Sequence, residues 1–364
     1  MNILFAVCGE GLGHASRTTK LAAYLVQHGH TCSFASYGKA YDFIQKQGFS
    51  VHEISREVTL GGDGGLFSLT QTLWLSKTVP VSLLHSYRDV RNLLRNHAFD
   101  LLIADTMYAA GYAAKSLGIP NAFITNQNTF AAAASPDAAY WTCLSKAVQT
   151  YLRKVPGIVI VPDFPPPDTI SGYNFALPET ETDHYRFVGP ILDRDADAVP
   201  QSRETIFASF GGEPYQLPMY TMLREIADRM PDHTFEVFST TPGLPETVAN
   251  FKTFGYVPDL RPYLAKSRVA ILHGGLTSLM EALSLGKPVV MIIDPYHPEQ
   301  WNNARKIEEM GAGIMILGNE VTGERLGDAI SRALTMTPPD LRPLFSAADS
   351  RETIRTILED LHTA

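Results

Sequence analysis

Hydrophobic positions along the chain form short unbroken runs that are separated by longer segments of mixed polarity. In the first half, the apolar runs cover residues 2–8, 31–37, 50–54, 100–105, 121–126 and 157–162. Such runs are typical of parallel strands that are buried on both faces, and the segments between them are typical of covering helices. The pattern therefore predicts an α/β fold built on a doubly wound parallel sheet.

The same alternation starts again in the second half. Apolar runs recur at residues 205–212, 233–240, 251–256, 268–275, 288–293 and 313–317. Between the halves lies a polar, proline-containing stretch, VGPILDRDADAVPQSRE (188–204), which we interpret as a linker. A length of 364 residues suits two domains. We predict two Rossmann-like domains, residues 1–192 and 203–345, that face each other across a cleft.

The first apolar run leads into a glycine-rich turn, GEGLGH (9–14). A dinucleotide-binding loop needs Gly-x-Gly-x-x-Gly and an acidic residue at the end of the second strand. Gly9 and Gly11 fit, but His14 takes the place of the third glycine, and the second strand ends without an acid. The sequence therefore argues against a nicotinamide cofactor.

The turn offers different chemistry. Gly9, Gly11 and Gly13 allow the backbone to pass close to a ligand. His14 would then stand near the positive end of a helix dipole, which favours the neutral imidazole that a general base requires. The alternative is that His14 only forms hydrogen bonds with its own loop.

A second turn, HGGLTSLME (273–281), joins a buried strand to a helix. Backbone N–H groups at a helix start, together with an imidazole and hydroxyls, can bind a diphosphate without a metal. Further along, DPYHPEQ ends on a carboxylate and an amide, which can both bind sugar hydroxyls. The candidate donor-site residues are His273, Gly274, Gly275, Thr277, Ser278, Glu281, Glu299 and Gln300, although Glu281 could also be an ordinary surface acid of its helix.

Composition excludes several classes of protein. A net charge of −8 argues against a nucleic-acid-binding protein. The three cysteines, Cys8, Cys32 and Cys143, lack the spacing of a disulfide framework or a zinc site. No apolar run approaches the ~20 residues of a transmembrane helix, and the apolar N-terminal run is too short for a signal peptide. We expect a cytoplasmic protein and no bound metal, because the helix start after the HGG turn can take the place of a metal at the diphosphate.

Two segments, 55–99 and 129–156, interrupt the alternation of strands and helices in the first half. Both combine apolar and aromatic residues with basic residues, which in the first segment include Lys77, Arg88, Arg91 and Arg95. These segments either pack as helices on the first domain or form a surface that binds the acceptor and faces a membrane.

The order and spacing of the motifs resemble those of the GT-B nucleotide-sugar glycosyltransferases, especially the group of MurG, galactolipid synthases and UDP-glycosyltransferases. The resemblance covers most of the chain. It rests on GEGLGHASR (9–17), FDLLIADTMYAAGYAAKSLGIP (99–120), VGP (188–190), ASFGG (208–212), FGYVPDLRPYLAKSRVAILHGG (254–275) and EQWNNA (299–304).

The resemblance implies a role for each matching residue. His14 would be the base, and Asp105 would orient it, unless Asp105 only caps the helix that follows its strand. In the donor site, His273, Gly275 and Ser278 would bind the diphosphate and Glu281 the ribose. Glu299 and Gln300 would contact the sugar, Gly211 and Gly212 would approach the phosphates or the acceptor, and the backbone at Val257 would contact the base.

Two positions depart from the pattern of the group. Thr277 stands where many relatives have Asn, and Glu299 stands where many UDP-sugar enzymes have Asp. The identity of the donor sugar therefore stays open.

By this resemblance, the chain is an inverting, metal-independent glycosyltransferase without a cofactor. It would move a hexose or N-acetylhexosamine from a nucleoside diphosphate, with UDP expected, to a lipid-linked or small-molecule hydroxyl. The acceptor would bind to residues 1–192 and the donor to residues 203–345, and a helix within 346–364 would return to the first domain. A UDP-GlcNAc 2-epimerase-like enzyme and a non-catalytic sugar-nucleotide-binding subunit are the alternatives.

Overall fold

The computed structural model describes most of the chain. The described residues are 1–59, 61–63, 66–75, 79–130, 137–177, 179–193, 202, 204–211 and 214–363. Two parallel sheets organise these residues, and we refer to the layers around them as the first and second domains.

The first sheet has seven parallel strands in the order β3-β2-β1-β6-β7-β8-β9. The strand order reverses between β1 and β6, as in a Rossmann fold. A two-stranded hairpin, β4–β5, lies outside this sheet. The strands are β1 (Asn2–Val7), β2 (Thr31–Ser36), β3 (Val51–Glu53), β4 (Gly62–Asp63), β5 (Leu66–Phe67), β6 (Leu101–Asp105), β7 (Asn121–Ile124), β8 (Ile158–Val161) and β9 (Tyr185–Phe187).

Helices lie between most of these strands. They are α1 (Leu12–Gln27), α2 (Gly38–Lys46), α3 (Leu69–Leu75), α4 (Val79–Asn96), α5 (Tyr108–Ser116) and α6 (Ala138–Lys154). The two interrupting segments thus contain helices α3, α4 and α6. Short 3₁₀ turns cover Gly172–Asn174 and Glu179–His184.

The second sheet has six parallel strands in the order β12-β11-β10-β13-β14-β15, which again reverses beside its first strand. Its strands are β10 (Thr205–Ser209), β11 (Thr234–Phe238), β12 (Phe251–Phe254), β13 (Val269–Leu272), β14 (Val289–Ile293) and β15 (Gly313–Leu317). The helices are α7 (Leu217–Arg229), α8 (Arg261–Lys266), α9 (Leu276–Ser284), α10 (Pro298–Glu309), α11 (Gly323–Thr335), α12 (Arg342–Ala347) and α13 (Ser350–Thr363), with 3₁₀ turns at Pro214–Gln216 and Gly318–Glu320.

The central strands are buried on both faces, which explains their unbroken apolar runs. In β1, Leu4 and Ala6 pack into the core on one face of the sheet, whereas Ile3, Phe5 and Val7 pack into the core on the other. A strand that contributes to two cores cannot alternate with polar residues. The predicted pair of doubly wound α/β domains is confirmed.

Helix α13 lies against the first domain although it follows the second domain in the chain. Ile354 and Leu358 are fully buried in the core that also contains Leu21 and Leu25 of α1. The hydroxyl of Tyr24 donates a hydrogen bond of 2.8 Å to Glu352. The chain therefore connects the two domains a second time through this helix.

The start of α5 is fixed by a buried acid. The Glu57 side chain accepts hydrogen bonds from the backbone N–H groups of Tyr108 and Ala109, at 3.2 and 3.1 Å, and from the Ser86 hydroxyl at 3.1 Å. Thr106, just before this helix, has a φ of 55°, a left-handed conformation that costs about 1–3 kcal/mol for a residue of this type. The acid thus helps to hold the strained bend that follows Asp105.

We expect Glu57→Gln to change how stability depends on pH. Burial raises the pKa of Glu57 to about 7, although the hydrogen bonds from Ser86, Ala109 and Tyr108 oppose this. A raised folded-state pKa means that the contribution of this group to stability falls as pH rises from about 4.3, its unfolded value, through about 7. Urea unfolding at pH 5 and pH 8 should therefore show the variant gaining stability relative to wild type at the higher pH.

The exposed Glu246 supplies the matched control, Glu246→Gln. A difference between Glu57→Gln and wild type that is the same at both pH values would contradict the expected titration of Glu57.

Candidate functional site

His14 and Asp105 meet where the first sheet reverses its strand order. Strands β1 and β6 are neighbours there, with Val7 paired to Asp105. The chain leaves β1 through the glycine turn, where Gly11 has a φ of 82°, and enters α1 two residues before His14. The Nδ1 atom of His14 lies 2.7 Å from Oδ1 of Asp105. Ligands of such sheets bind at this edge.

Asp105 is also held by a cation that the sequence analysis did not identify. The Nε atom of Arg17 donates to Oδ2 of Asp105 at 2.6 Å, and Nη2 donates to Oδ1 at 2.5 Å. Burial by itself would raise the pKa of Asp105, but the charges and hydrogen bonds of Arg17 and His14 outweigh it and lower the pKa to about 2. Asp105 is therefore a carboxylate at neutral pH. The spacing of His14 and Arg17, which places them on one helix face, is the signal that could have revealed Arg17.

The hydrogen-bond network assigns the proton of neutral His14 to Nδ1. Since the Asp105 carboxylate can only accept, the close Nδ1 atom must donate. This leaves the lone pair on Nε2, and the side chain is 24% exposed. The arrangement can accept a proton at Nε2 and stabilise the imidazolium that results.

The second sheet presents a turn and a helix start at the equivalent edge. His273 follows β13, which is the strand beside β10 at the reversal. Burial lowers the pKa of His273, although the charge of Asp294 opposes this effect, so the ring is neutral near pH 7. Its buried Nδ1 atom has no hydrogen-bond partner in the part of the chain that the structure describes. An unpaired buried ring nitrogen is suited to meet a ligand.

Gly274 and Gly275 have packing reasons to be glycine. A Cβ atom at Gly274 would lie 2.6 Å from Cα and O of Gln300, and one at Gly275 would lie 2.9 Å from Nε2 of His273. Thr277 and Ser278 lie in the first turn of α9, where N–H groups lack partners within the helix.

The two domains touch directly at this helix start. A Cβ atom at Gly13 would lie 3.3 Å from Oγ1 of Thr277. Nearby, Nζ of Lys20 on α1 lies 2.7 Å from Oε1 of Glu281 on α9, and both side chains are about 15% exposed. The acid predicted to hold a ribose is thus paired with a lysine of the other domain.

Glu299 and Gln300, at the start of α10, have different partners. Oε1 of Glu299 accepts a hydrogen bond of 3.2 Å from Nδ2 of Asn126 in the first domain. The Gln300 amide binds Asp294 twice, because its Oε1 accepts from the backbone N–H at 2.9 Å and its Nε2 donates to Oδ2 at 3.1 Å. Glu299 therefore reaches across the cleft, whereas Gln300 fixes the loop before its own helix.

The remaining predicted positions lie around these residues. Gly9 packs against Tyr37, with no room for a side chain. Gly211, with a φ of 92°, lies two residues after β10, and its carbonyl accepts hydrogen bonds from Tyr220 and Ser239. Val257 packs at the edge of the second-domain core. Gly212 lies outside the described residues.

The asparagines of EQWNNA hold the two domains together, a role the sequence analysis missed. Nδ2 of Asn174, in the first domain, donates to Asn303 at 2.9 Å, and Nδ2 of Asn302 donates to Asn174 at 2.9 Å. Asn303 also donates to the carbonyl of Gly274 at 3.0 Å. The pair of consecutive asparagines in EQWNNA was the sequence signal that could have revealed this role. It was not enough, because Asn174 is 128 residues from Asn302 in sequence.

Two features are absent from the described residues. No cluster of three or more His, Cys, Asp or Glu side chains there could hold a metal ion. Within the same residues, no helix combines the length and the apolar character needed to cross a membrane.

Comparison with known proteins assigns both halves of the chain to glycosyltransferases. Residues 1–160 match glycosyl transferase family 1, and residues 232–357 match the glycosyltransferase family 28 C-terminal domain. A protein of Methanosarcina acetivorans described as an uncharacterized glycosyltransferase is 30% identical over 326 residues, which cover 86% of this chain and 83% of that protein.

Solved structures share the fold. The spinosyn forosaminyltransferase SpnP superimposes with a TM-score of 0.72 at 16% identity, with full coverage of both chains. MurG of Acinetobacter baumannii does so with a TM-score of 0.59 at 14% identity, with 99% of each chain covered. The predicted resemblance to the GT-B glycosyltransferases is confirmed.

We expect Gly274→Ala to destabilise the second domain, because the new methyl group would overlap the backbone of α10. Overpacking of this kind costs about 1–3 kcal/mol. Gly255→Ala is the matched control, since a Cβ atom there meets nothing within 4 Å. Chemical unfolding of both variants measures the difference, and equal stabilities would show that the HGG turn can yield to the methyl group.

Proposed function

The chain belongs to the glycosyltransferases, and from this premise we propose that it is an inverting, metal-independent enzyme that uses a nucleoside diphosphate sugar. The donor would carry a hexose or an N-acetylhexosamine on UDP. One observation carries the proposal: the His14–Asp105 pair of the first domain stands beside the start of α9 in the second, where Gly13 approaches Thr277.

The proposed reaction is a single displacement. The acceptor oxygen attacks the anomeric carbon and forms the new glycosidic bond, while the bond from that carbon to the phosphate oxygen breaks. The electron pair of the broken bond stays on the nucleoside diphosphate, and the hydroxyl proton passes to Nε2 of His14. Attack from the face opposite the leaving group inverts the configuration.

Asp105 supports the proton transfer because it is ionised and bonded to the opposite nitrogen of the ring. Its charge stabilises the imidazolium as it forms, without itself taking the proton. A carboxylate whose pKa is about 2 keeps this ability over the whole neutral range.

The departing diphosphate would be stabilised by fixed dipoles in place of a metal. The N–H groups at the start of α9, the Ser278 hydroxyl and the unpaired nitrogen of His273 are available for this purpose. Such groups are already oriented, so little reorganisation accompanies the reaction. Glu281 would accept the ribose hydroxyls after exchanging its bond with Lys20.

The acceptor is proposed to be reached from an anionic membrane surface. On α3 the side chains of Leu73, Trp74 and Leu75 are 46, 68 and 43% exposed. On α4, Val81 and Leu84 are also exposed. Lone exposed apolar residues are ordinary, but a continuous group of them is typical of an interaction surface.

Basic residues continue the same face of α4. Helical spacing places Arg88, Arg91 and Arg95 in line with the exposed apolar residues nearer the helix start. Arg88 and Arg95 are exposed, whereas Arg91 is half-buried and bonds Ser116. Lys77 lies outside the described residues. An apolar end followed by a basic end suits a lipid interface with anionic headgroups, and supports a lipid-linked acceptor.

We expect His14→Ala to lower kcat by about two or more orders of magnitude, since general-base catalysis contributes roughly that factor. Donor binding should persist. The donor is first identified by thermal shift with UDP-, GDP- and dTDP-sugars. Transfer from that donor is then measured with phenols, free hexoses and polyprenyl-linked sugars as acceptors. Glu281→Gln is the matched variant, because it should lose the thermal shift that His14→Ala retains.

Near-normal turnover by His14→Ala would remove His14 as the base. Conversion of UDP-GlcNAc without any acceptor would instead indicate the epimerase-like alternative, and donor binding without turnover by wild type would indicate a binding subunit.

We expect the protein to sediment with vesicles of phosphatidylglycerol and phosphatidylcholine at low salt. Trp74→Ser and Arg88→Glu should each weaken this binding, through the apolar and the charged contribution respectively, and salt should weaken only the latter. Arg325→Glu, on an exposed part of α11, is the control. Absence of wild-type sedimentation at low salt would exclude membrane docking.

A further inference from the structure

A buried chain of polar side chains connects the base to the donor-binding domain. It runs from His14 through Asp105, Arg17 and Asn126 to Glu299, and we call it the interdomain chain. Its three middle members are 0, 3 and 8% exposed. A buried polar group is stable only when it has a hydrogen-bond partner. The orientation of each side chain in the interdomain chain therefore depends on its neighbours in that chain.

Arg17 is the central member. Its fork binds both oxygens of Asp105, at 2.6 and 2.5 Å, and its remaining nitrogen, Nη1, donates to Oδ1 of Asn126. A guanidinium that binds a carboxylate through two parallel hydrogen bonds fixes the plane of that carboxylate. The position of Oδ1, which accepts the hydrogen bond from Nδ1 of His14, is therefore set by Arg17.

Arg17 also restricts His14 directly. Nη2 of Arg17 lies 3.2 Å from Nδ1 of His14. When Nδ1 carries its proton, both atoms are donors, and they share Oδ1 of Asp105 as acceptor. The two donors thus divide the charge of one oxygen, and the imidazolium gains less stabilisation than an unshared carboxylate would give.

Asn126 carries the constraint across the cleft. Its oxygen accepts from Arg17, and its nitrogen donates to Glu299 at 3.2 Å. An amide with both ends used has one orientation. Glu299 lies at the start of α10, the helix that also anchors Asn174 of the first domain. Separation of the domains would therefore leave the Asn126 amide without its second partner.

We propose that Arg17, assisted by Asn126, is a positioning residue that aligns Asp105 and His14 for proton transfer. This alignment depends on the hydrogen bond between Asn126 and Glu299. The proposal rests on the proposed function of His14 as the base. Charged and titratable groups near His14 are Asp105 and Arg17 on its own side of the cleft, with Lys20, Glu281, His273 and Glu299 further along the interface.

The first test is a double-mutant cycle with the donor identified above. Arg17→Lys keeps a positive charge but loses the fork. We expect kcat to fall about tenfold with less than a twofold change in donor KM, because the defect lies in alignment. In an Asp105→Asn background, the same substitution should change kcat less than twofold, since Arg17 acts through Asp105.

The pH profile separates positioning from a merely structural role. In Arg17→Met, the charge of Asp105 is no longer shared, so the imidazolium is stabilised more strongly. The acid limb of kcat/KM should move to higher pH, whereas Arg325→Lys, on the surface of α11, should leave it in place. An unmoved limb together with additive effects in the cycle would overturn the proposal.

Asn126→Ala keeps the proposal testable if the Arg17 variants unfold. It should lower kcat in the same direction by a smaller factor, with far-UV circular dichroism at the assay temperature showing that the variant is folded. Unchanged kcat in Asn126→Ala would show that contact with Glu299 does not align the base.

A measurement without substrate distinguishes this proposal from the proposed function. Histidine-labelled protein is titrated by NMR, with the His14 signal assigned through its loss in His14→Ala. A shift of its titration midpoint to higher pH in Arg17→Met supports the shared carboxylate even if no donor is turned over. An unshifted midpoint refutes the sharing, whatever the outcome of the activity assays.

Discussion

The buried negative charge of Asp105 is the constraint on which the first half of the site depends. A carboxylate with no exposed surface is costly unless it is paired and fully hydrogen-bonded. The fold meets this need with two residues of α1, His14 and Arg17. This helix follows β1, which is the strand beside β6 and its last residue, Asp105. The same hydrogen bonds therefore serve both stability and the proposed chemistry, because they compensate the charge of Asp105 and also fix the orientation of the His14 ring.

The topology of the sheets explains why the pieces meet. In each domain the strand order reverses beside the first strand, which opens a crevice at the carboxyl edge. His14 and Asp105 lie at one crevice, and His273 lies at the other. Gly13 and Thr277 approach each other across the domain interface. The crevice that holds His14 and Asp105 therefore lies beside the start of α9, which follows His273.

The interface between the domains combines polar pairs with apolar contacts. Lys20 meets Glu281, Asn126 meets Glu299, and Asn174 meets two asparagines of α10. Polar contacts of this kind can exchange with water and with ligand hydroxyls at modest cost, unlike an apolar core. Apolar contacts accompany them, since Phe164, Ile170 and Leu192 are buried in one core of the second domain and Leu66 of β5 packs against the other. The polar part of the interface suits a cleft that must admit and release a substrate.

The strands, the paired domains and the family were predictable from sequence because both-face burial and loop motifs are local patterns. The apolar run of β6 predicts a buried strand, and its carboxyl end predicts where Asp105 stands. Arg17 was not predicted, because an arginine on a helix is ordinary until its partner, 88 residues away, is known. The Asn303–Gly274 contact was missed for the same reason.

The sequence by itself predicted candidate residues for the chemistry and the edge of the sheet at which each would lie. Only the tertiary structure decided the hydrogen-bond and ion-pair partners of these residues. Glu281 pairs with a lysine of the first domain, Gln300 bonds the loop before its own helix, and Glu299 bonds an asparagine of the first domain. The physical reason is that strand and turn patterns are set by neighbouring residues, whereas polar pairing across a cleft depends on where distant segments pack.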